Sequence, residues 1–209
     1  MTELMASYHD NVREDAIALV PQEAGRILDF GGGVGATAAA LKRRGNAVWA
    51  AVADQVSEAL PEIDLVMRGD LEKASFITFI ADAGPFDTIL CLDILEHLRD
   101  PWEVVQCLID ALRPGGTMIV SVPNVNNRGI LLPLLFKGKW ELTDKGLLDR
   151  THLRWFTKHS LIAMLDQPGL EIQQVKANMI ARDRWICRFS FGFLERFLAV
   201  QYIVRATKR

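Results

Sequence analysis

The segment Asp29-Phe30-Gly31-Gly32-Gly33-Val34-Gly35 places a carboxylate beside alternating glycines. Bare backbone at such a bend lets a small ligand lie directly against the chain. A helix starting there adds N–H groups without partners and a partial positive charge. A second set of reactive groups is Asp93-x-x-Glu96-His97, two carboxylates and an imidazole close together. A third is Asp149-Arg150-Thr151-His152, followed by Arg154. There an acid can orient an imidazole and two arginines can meet an anion. His152 in that setting suits removal of a proton from a reacting hydroxyl. The same cluster also reads as a structural loop tying down the segment before it. His9 lies near the amino terminus, and His159 falls in a helix's first turn.

Strands and helices must position these groups. Arg26 to Phe30 reads as a buried strand, and Ala36 to Arg44 as an alanine-rich helix stopped by Gly45. Asn11 with Glu14 forms a capping-box pattern for a helix ending at Pro21. Further strands are expected at Ala47–Val52, Leu65–Met67, Phe86–Leu92 and Thr117–Val122. A helix capped by Asp100 with Pro101 at its first position precedes the turn Arg113-Pro114-Gly115-Gly116. Near-continuous apolar strands alternating with helices predict a parallel sheet covered on both faces. The rhythm breaks after Pro123. Residues 124–150 form a long insertion of the kind used as a lid. A helix capped by Thr157, a strand near Glu171–Ala177, a helix in the second half of Arg182–Leu198 and a strand from Val200 to Ala206 complete the chain. The two late strands predict a terminal antiparallel pair.

The chain has 209 residues, half of them apolar, with a formal net charge of -2. These values fit a single domain spanning 1–209 and provide no general attraction to nucleic acid. Cys91, Cys107 and Cys187 are few, odd in number and widely spaced. They suit a reducing cytoplasm rather than a disulfide framework. The opening Met1-Thr2-Glu3-Leu4 lacks the pattern of a signal peptide, so a cytoplasmic location is expected.

Three motifs in order resemble a class I S-adenosylmethionine (SAM)-dependent methyltransferase. They are Asp29-x-Gly31-x-Gly33-x-Gly35, Phe86 to Leu98, and Leu112-Arg113-Pro114-Gly115-Gly116. The stretch Leu148 to Thr157 resembles polysaccharide-biosynthesis and ubiquinone-type O-methyltransferases. The resemblance implies a Rossmann-like, seven-stranded, mainly parallel sheet with helices on both faces. It also implies SAM as cofactor. Asp29 would hold the amino-acid end of SAM, and Gly31, Gly33 and Gly35 would let the backbone approach. An acid after strand two usually takes the ribose hydroxyls; the expected position falls near Val52, and the nearest acid is Asp54. Asp70, with Leu71 beside it, matches the adenine contact. Asp93 either orients the methionine moiety or ends a strand. Gly32 stands where the family often has cysteine, a change expected to matter little. Asp93, Glu96 and His97 also resemble a metal site of ubiquinone-type enzymes, although the favoured reading assigns no metal.

The implied reaction moves a methyl group to a small-molecule acceptor, a hydroxyl of a saccharide, lipid-linked or quinone-like compound. Two alternatives stand beside it. Gly31-x-Gly33-x-x-Ala36 also satisfies a dinucleotide fingerprint, which would suit an NAD(P)-dependent oxidoreductase. However, Asp29 would then face a pyrophosphate, which is electrostatically wrong. The other is a SAM-binding partner subunit without catalysis. The segment 182–198 mixes arginines with aromatics. It admits a core-packing helix, a peripheral membrane contact or a homodimer surface.

Overall fold

A computed structural model describes residues 11–55 and 58–209, so His9 lies outside the described residues. Seven strands form one sheet: β1 (Gly25–Phe30), β2 (Ala47–Asp54), β3 (Leu65–Arg68), β4 (Phe86–Leu92), β5 (Leu112–Pro123), β6 (Leu170–Asn178) and β7 (Gln201–Lys208). Their order is β3-β2-β1-β4-β5-β7-β6. The first five pair in parallel, and β7 runs antiparallel to both β5 and β6. This is the expected doubly covered sheet with a terminal antiparallel pair.

Alternation of side chains explains the two cores. Ile27, Ala50, Leu90 and Ile119 point to one face, where they meet Ala16 of α1 (Glu14–Ile17) and Ala38 and Leu41 of α2 (Ala36–Arg43). Leu28, Phe30, Ile89 and Cys91 point to the other. There they meet α3 (Ala74–Ala83), α4 (Pro101–Ala111) and α6 (Lys158–Leu165). Strands buried on both sides favour apolar residues on both faces, which is why their central runs are nearly continuous.

Local signals placed several boundaries closely. Asp100 accepts from the Glu103 N–H at the start of α4, and Thr157 with Ser160 forms a complete capping box on α6. Phe86 pairs with Leu112 and Thr88 with Thr117, so Arg113–Gly116 bulges out of the ladder as the expected turn.

Three expectations require correction. Arg13 rather than Asn11 stands at the N-cap of α1, without a capping side-chain bond, and α1 is a single turn. The Arg13 side chain is instead drawn inward to Asp93 and Gln201. Residues 124–150 are not a long loop throughout, because α5 occupies Arg128–Lys137, capped by Asn127. In the 182–198 segment the main helix is α7, Ala181–Phe189, in the first half; only the short α8, Glu195–Leu198, follows. The break is made by Phe191 and Gly192, both with left-handed backbone.

Candidate active site

The glycine turn leaves the end of β1 and enters α2. Gly31, Gly33 and Gly35 have φ of +74°, +57° and +81°, a region that favours glycine. Space is restricted as well as conformation. A Cβ on Gly31 would fall 2.3 Å from the Ile94 side chain, and one on Gly35 would fall 2.6 Å from Val52. A Cβ on Gly32 would lie 2.3 Å from the Asp29 carboxyl carbon. The glycine at position 32 therefore leaves room for the Asp29 carboxyl as it is placed here.

Asp29 is buried and its pKa is pushed up to about 7. Burial is the main cause; the Ala38 N–H opposes it, the Asp54 charge adds to it, and Arg13 opposes it. Such a carboxyl is poised to ionise when a cation arrives.

β2 extends two residues beyond the expected Val52 and ends at Asp54. The strand end therefore carries an acid, and Asp54 Oδ2 accepts from the Gly33 N–H at 2.8 Å. Asp70 follows β3 and is exposed; its Oδ1 accepts from the Glu72 N–H at 3.1 Å. Leu71 beside it is buried. Glu72 in turn accepts from the Arg99 and Asp100 N–H groups, which ties this loop to the start of α4.

Asp93, at φ +55°, sits where β4 ends and takes three donors: Arg13, Gln201 and, at 3.0 Å, the Ser121 hydroxyl. Arg13 also donates to Asp15 and, at 2.7 Å, to Gln201, while its own N–H reaches Thr37 at the start of α2. Burial works against the Arg13 charge, but Asp15 and Asp93 more than offset it and raise its pKa. None of Arg13, Ser121 and Gln201 stood out in the sequence. They lie 80, 28 and 108 positions from Asp93 and share no motif with it.

Asp93 also lines a cavity of about 500 Å³, together with Glu96, Leu147, His152, Arg184 and Gln201 among others. Gly146 and Leu147 come from the insertion and Asn178 to Ile180 from the end of β6. The glycine turn and the cavity thus meet at the Asp93–Ile94 step.

His152 does not use Asp149 as its orienting acid. Asp149 Oδ1 accepts from the Thr151 N–H at 2.8 Å and hydroxyl at 2.6 Å. The carboxyl facing His152 is Glu96, with Nε2 and Oε1 4.0 Å apart. The two are held together because the Leu153 and Arg154 N–H groups both donate to the Glu96 carbonyl. Burial, then His97, lowers the His152 pKa; Asp149 opposes them. Burial, then Asp93, raises that of Glu96. With the imidazole neutral at neutral pH, the 4.0 Å approach is not an ion pair, and it is too long for a hydrogen bond. Glu96 Oε2 and His152 Nδ1 are buried without a protein partner. The two arginines are committed elsewhere, Arg150 to Asp144 at 2.7 Å and Arg154 to the Arg99 carbonyl.

His97, bonded through Nδ1 to Thr151, stacks edge-on against His152. Trp155 meets the other side of His152, and Trp140 of the insertion packs on Trp155. Among the described residues, Glu96, His97 and His152 present ligand atoms within 4.8 Å of one another. Asp93, held by its three donors, is not part of that set.

These features fit SAM. The left-handed glycines keep bare backbone at the turn, where side chains at 31 or 35 would strike Ile94 or Val52, the buried Asp29 suits an ammonium, and Asp54 borders the turn as an acceptor. A family model described as "Methyltransferase domain" matches residues 5–175. The chain is 31% identical over 122 residues to a ubiquinone biosynthesis O-methyltransferase of Paracidovorax citrulli, covering 56% of this chain and 51% of that one. It is 25% identical over 214 residues to the enzyme of that name from Cereibacter sphaeroides, covering 100% and 83%. The chain thus spans only about half to three-fifths of the length of the first curated relatives it matches. The crystal structure of an S-adenosylmethionine-dependent methyltransferase from Mesorhizobium loti superposes with a TM-score of 0.62 at 18% identity, covering 93% and 96%. The likeness to that structure concerns the fold. With the family match over most of its length, the glycine turn and the β3-β2-β1-β4-β5-β7-β6 sheet, the chain belongs to the class I SAM-dependent methyltransferase family.

Proposed function

We propose that this protein transfers a methyl group from SAM to a hydroxyl of a small-molecule acceptor held in the cavity beside Asp93. The observation that carries this reading is the junction of two sites. A glycine cradle and an acceptor-sized cavity meet at Asp93–Ile94, with a neutral imidazole on the cavity wall. In this reading Asp29 takes the ammonium of the cofactor. Asp54 accepts from the ribose, Asp70 and Leu71 border the adenine, and Asp93 orients the methionine moiety. SAM, when bound, supplies an electrophilic methyl with a good leaving group.

The chain's own residues align the acceptor and exclude water. His152 takes the acceptor proton at a ring nitrogen, and His97 and Trp155, packed edge-on against it, hold the ring in place. Residues 124–150 act as a lid, a role supported by Gly146 and Leu147 on the cavity wall and by Trp140 packed on Trp155. The names of the curated relatives support an oxygen acceptor. The cavity walls combine apolar Leu147, Met179, Ile180 and Val200 with polar groups, which suits an acceptor with an apolar part.

Calorimetry with SAM, S-adenosylhomocysteine and NAD tests the cofactor, and labelled SAM with hydroxylated acceptors tests the transfer. Binding of NAD without SAM would favour the oxidoreductase. Tight SAM binding with no transfer to any acceptor would favour a non-catalytic partner subunit.

A further inference from the structure

The aromatic side chains near 182–198 are not core residues. Trp185, Phe189, Phe191 and Phe193 are 64%, 78%, 99% and 71% exposed. Leu135 and Phe136 on α5 are each 75% exposed. The two ridges belong to one surface. Arg128 of α5 is paired with Asp183 of α7 at 2.7 Å, and Leu132 and Ile180 line the groove between the helices. An apolar surface of this kind on a soluble chain marks a docking site.

Its charge is one-sided. Arg182, Arg184, Arg188 and Arg196 are exposed around the aromatics, and Lys137 ends α5. The acids of this segment are spent internally, Asp183 on Arg128 and Glu195 on Lys158. The chain gathers these cations although its net charge is -2. A two-fold contact between copies would set this patch against itself, four arginines facing four arginines. Aromatics and arginines on one helical face, without free acids, match an anionic lipid surface.

We propose that α5, α7 and the Phe191–Phe193 turn dock on an anionic bilayer and that the acceptor reaches the cavity from it. Ile180 and Val200 line both the surface groove and the cavity, giving an apolar route between them. The acceptor class is then an amphiphile, a hydroxylated head on an apolar tail. This second part rests on reading the cavity as the acceptor site; the docking itself does not.

The test is co-sedimentation of the full chain with phosphatidylcholine vesicles, with and without about 30 mol% phosphatidylglycerol. SAM binding is measured on the same samples. Anionic vesicles are expected to bind at least about ten-fold more protein, and salt should weaken the binding. The triple variant Phe189→Ser, Phe191→Ser, Phe193→Ser should lose at least about ten-fold of vesicle binding, and Arg182→Glu with Arg188→Glu should abolish the preference for anionic lipid. Both variants should keep SAM binding, which shows that they fold. Equal binding to both vesicles, or binding to neither, overturns the proposal. So does a dimer in light scattering that the phenylalanine variant dissolves, because the patch would then serve a second copy. Vesicle binding without SAM binding would overturn the functional reading and leave the docking surface standing.

Discussion

The Gly33 N–H donates to Asp54 Oδ2 at 2.8 Å, joining the glycine turn after β1 to the last residue of β2. The bond places an acceptor carboxylate at the rim of the cradle before any ligand arrives. Asp54→Ala removes both the bond and the proposed ribose contact. SAM affinity is expected to fall by roughly 1.5–3 kcal/mol, about ten- to a hundred-fold, by calorimetry. An unchanged affinity would take Asp54 out of the cofactor site.

Asp29 makes cofactor binding depend on pH. Its folded pKa of about 7 lies above the ordinary 3.8, so the empty site holds a proton below neutrality. An incoming ammonium favours the ionised form, and affinity for SAM should therefore rise between about pH 6 and pH 8. The sign for stability is opposite. A raised carboxyl pKa means that the fold loses stability as pH rises from about 4 to 7. Asp29→Asn should flatten the binding profile and weaken SAM. Its urea midpoint, relative to wild type, should be higher at pH 8 than at pH 5. The gain should be of order 2–4 kcal/mol at most.

Replacing His152 separates chemistry from binding. His152→Ala is expected to lower turnover about 10²–10⁴-fold with SAM affinity unchanged. Burial and His97 hold the wild-type pKa below 6.5, so the imidazole is in its proton-accepting form at neutrality. The turnover plateau should extend from alkaline pH down past 6.5 and fall only on the acid side. Full activity of the variant on the true acceptor would assign the proton transfer elsewhere.

Gly31→Val tests the cradle by steric means. The new Cβ would enter the Ile94 side chain at 2.3 Å and would need a left-handed backbone that branched residues resist. Loss of detectable SAM binding is expected, with a stability cost of about 1–3 kcal/mol. Native-like SAM affinity would place the cofactor away from this turn.

The cluster of Glu96, His97 and His152 invites a chelator test. Burial and Asp93 favour the protonated form of the Glu96 carboxyl, which opposes metal binding there. Turnover is expected to survive chelation. A loss restored by added magnesium would instead assign a divalent ion to these three groups.

Within the described residues no helix is long and apolar enough to cross a membrane, in keeping with the short apolar runs of the sequence. Much of the scaffold was legible there because its causes are local. Strand β4 shows by its apolar run Ile89–Leu92 after the Gly84-Pro85 turn, the glycine turn by residue type, and the caps at Asp100 and Thr157 by spacing. Those signals determine the sheet, the cradle and the position of Asp29. What only the tertiary structure decided depends on contacts between distant segments. Arg13 reaches Asp93 and Gln201 across 80 and 188 positions, and Glu96 replaces Asp149 as the acid beside His152. β2 runs on to Asp54 because β3 offers pairing partners as far as Arg68, a matter of register that single-strand hydrophobicity does not encode. The aromatic content of 182–198 was equally ambiguous. A phenylalanine in sequence carries the same apolar area whether it fills a core or faces solvent, and only packing shows that Phe189, Phe191 and Phe193 are left outside.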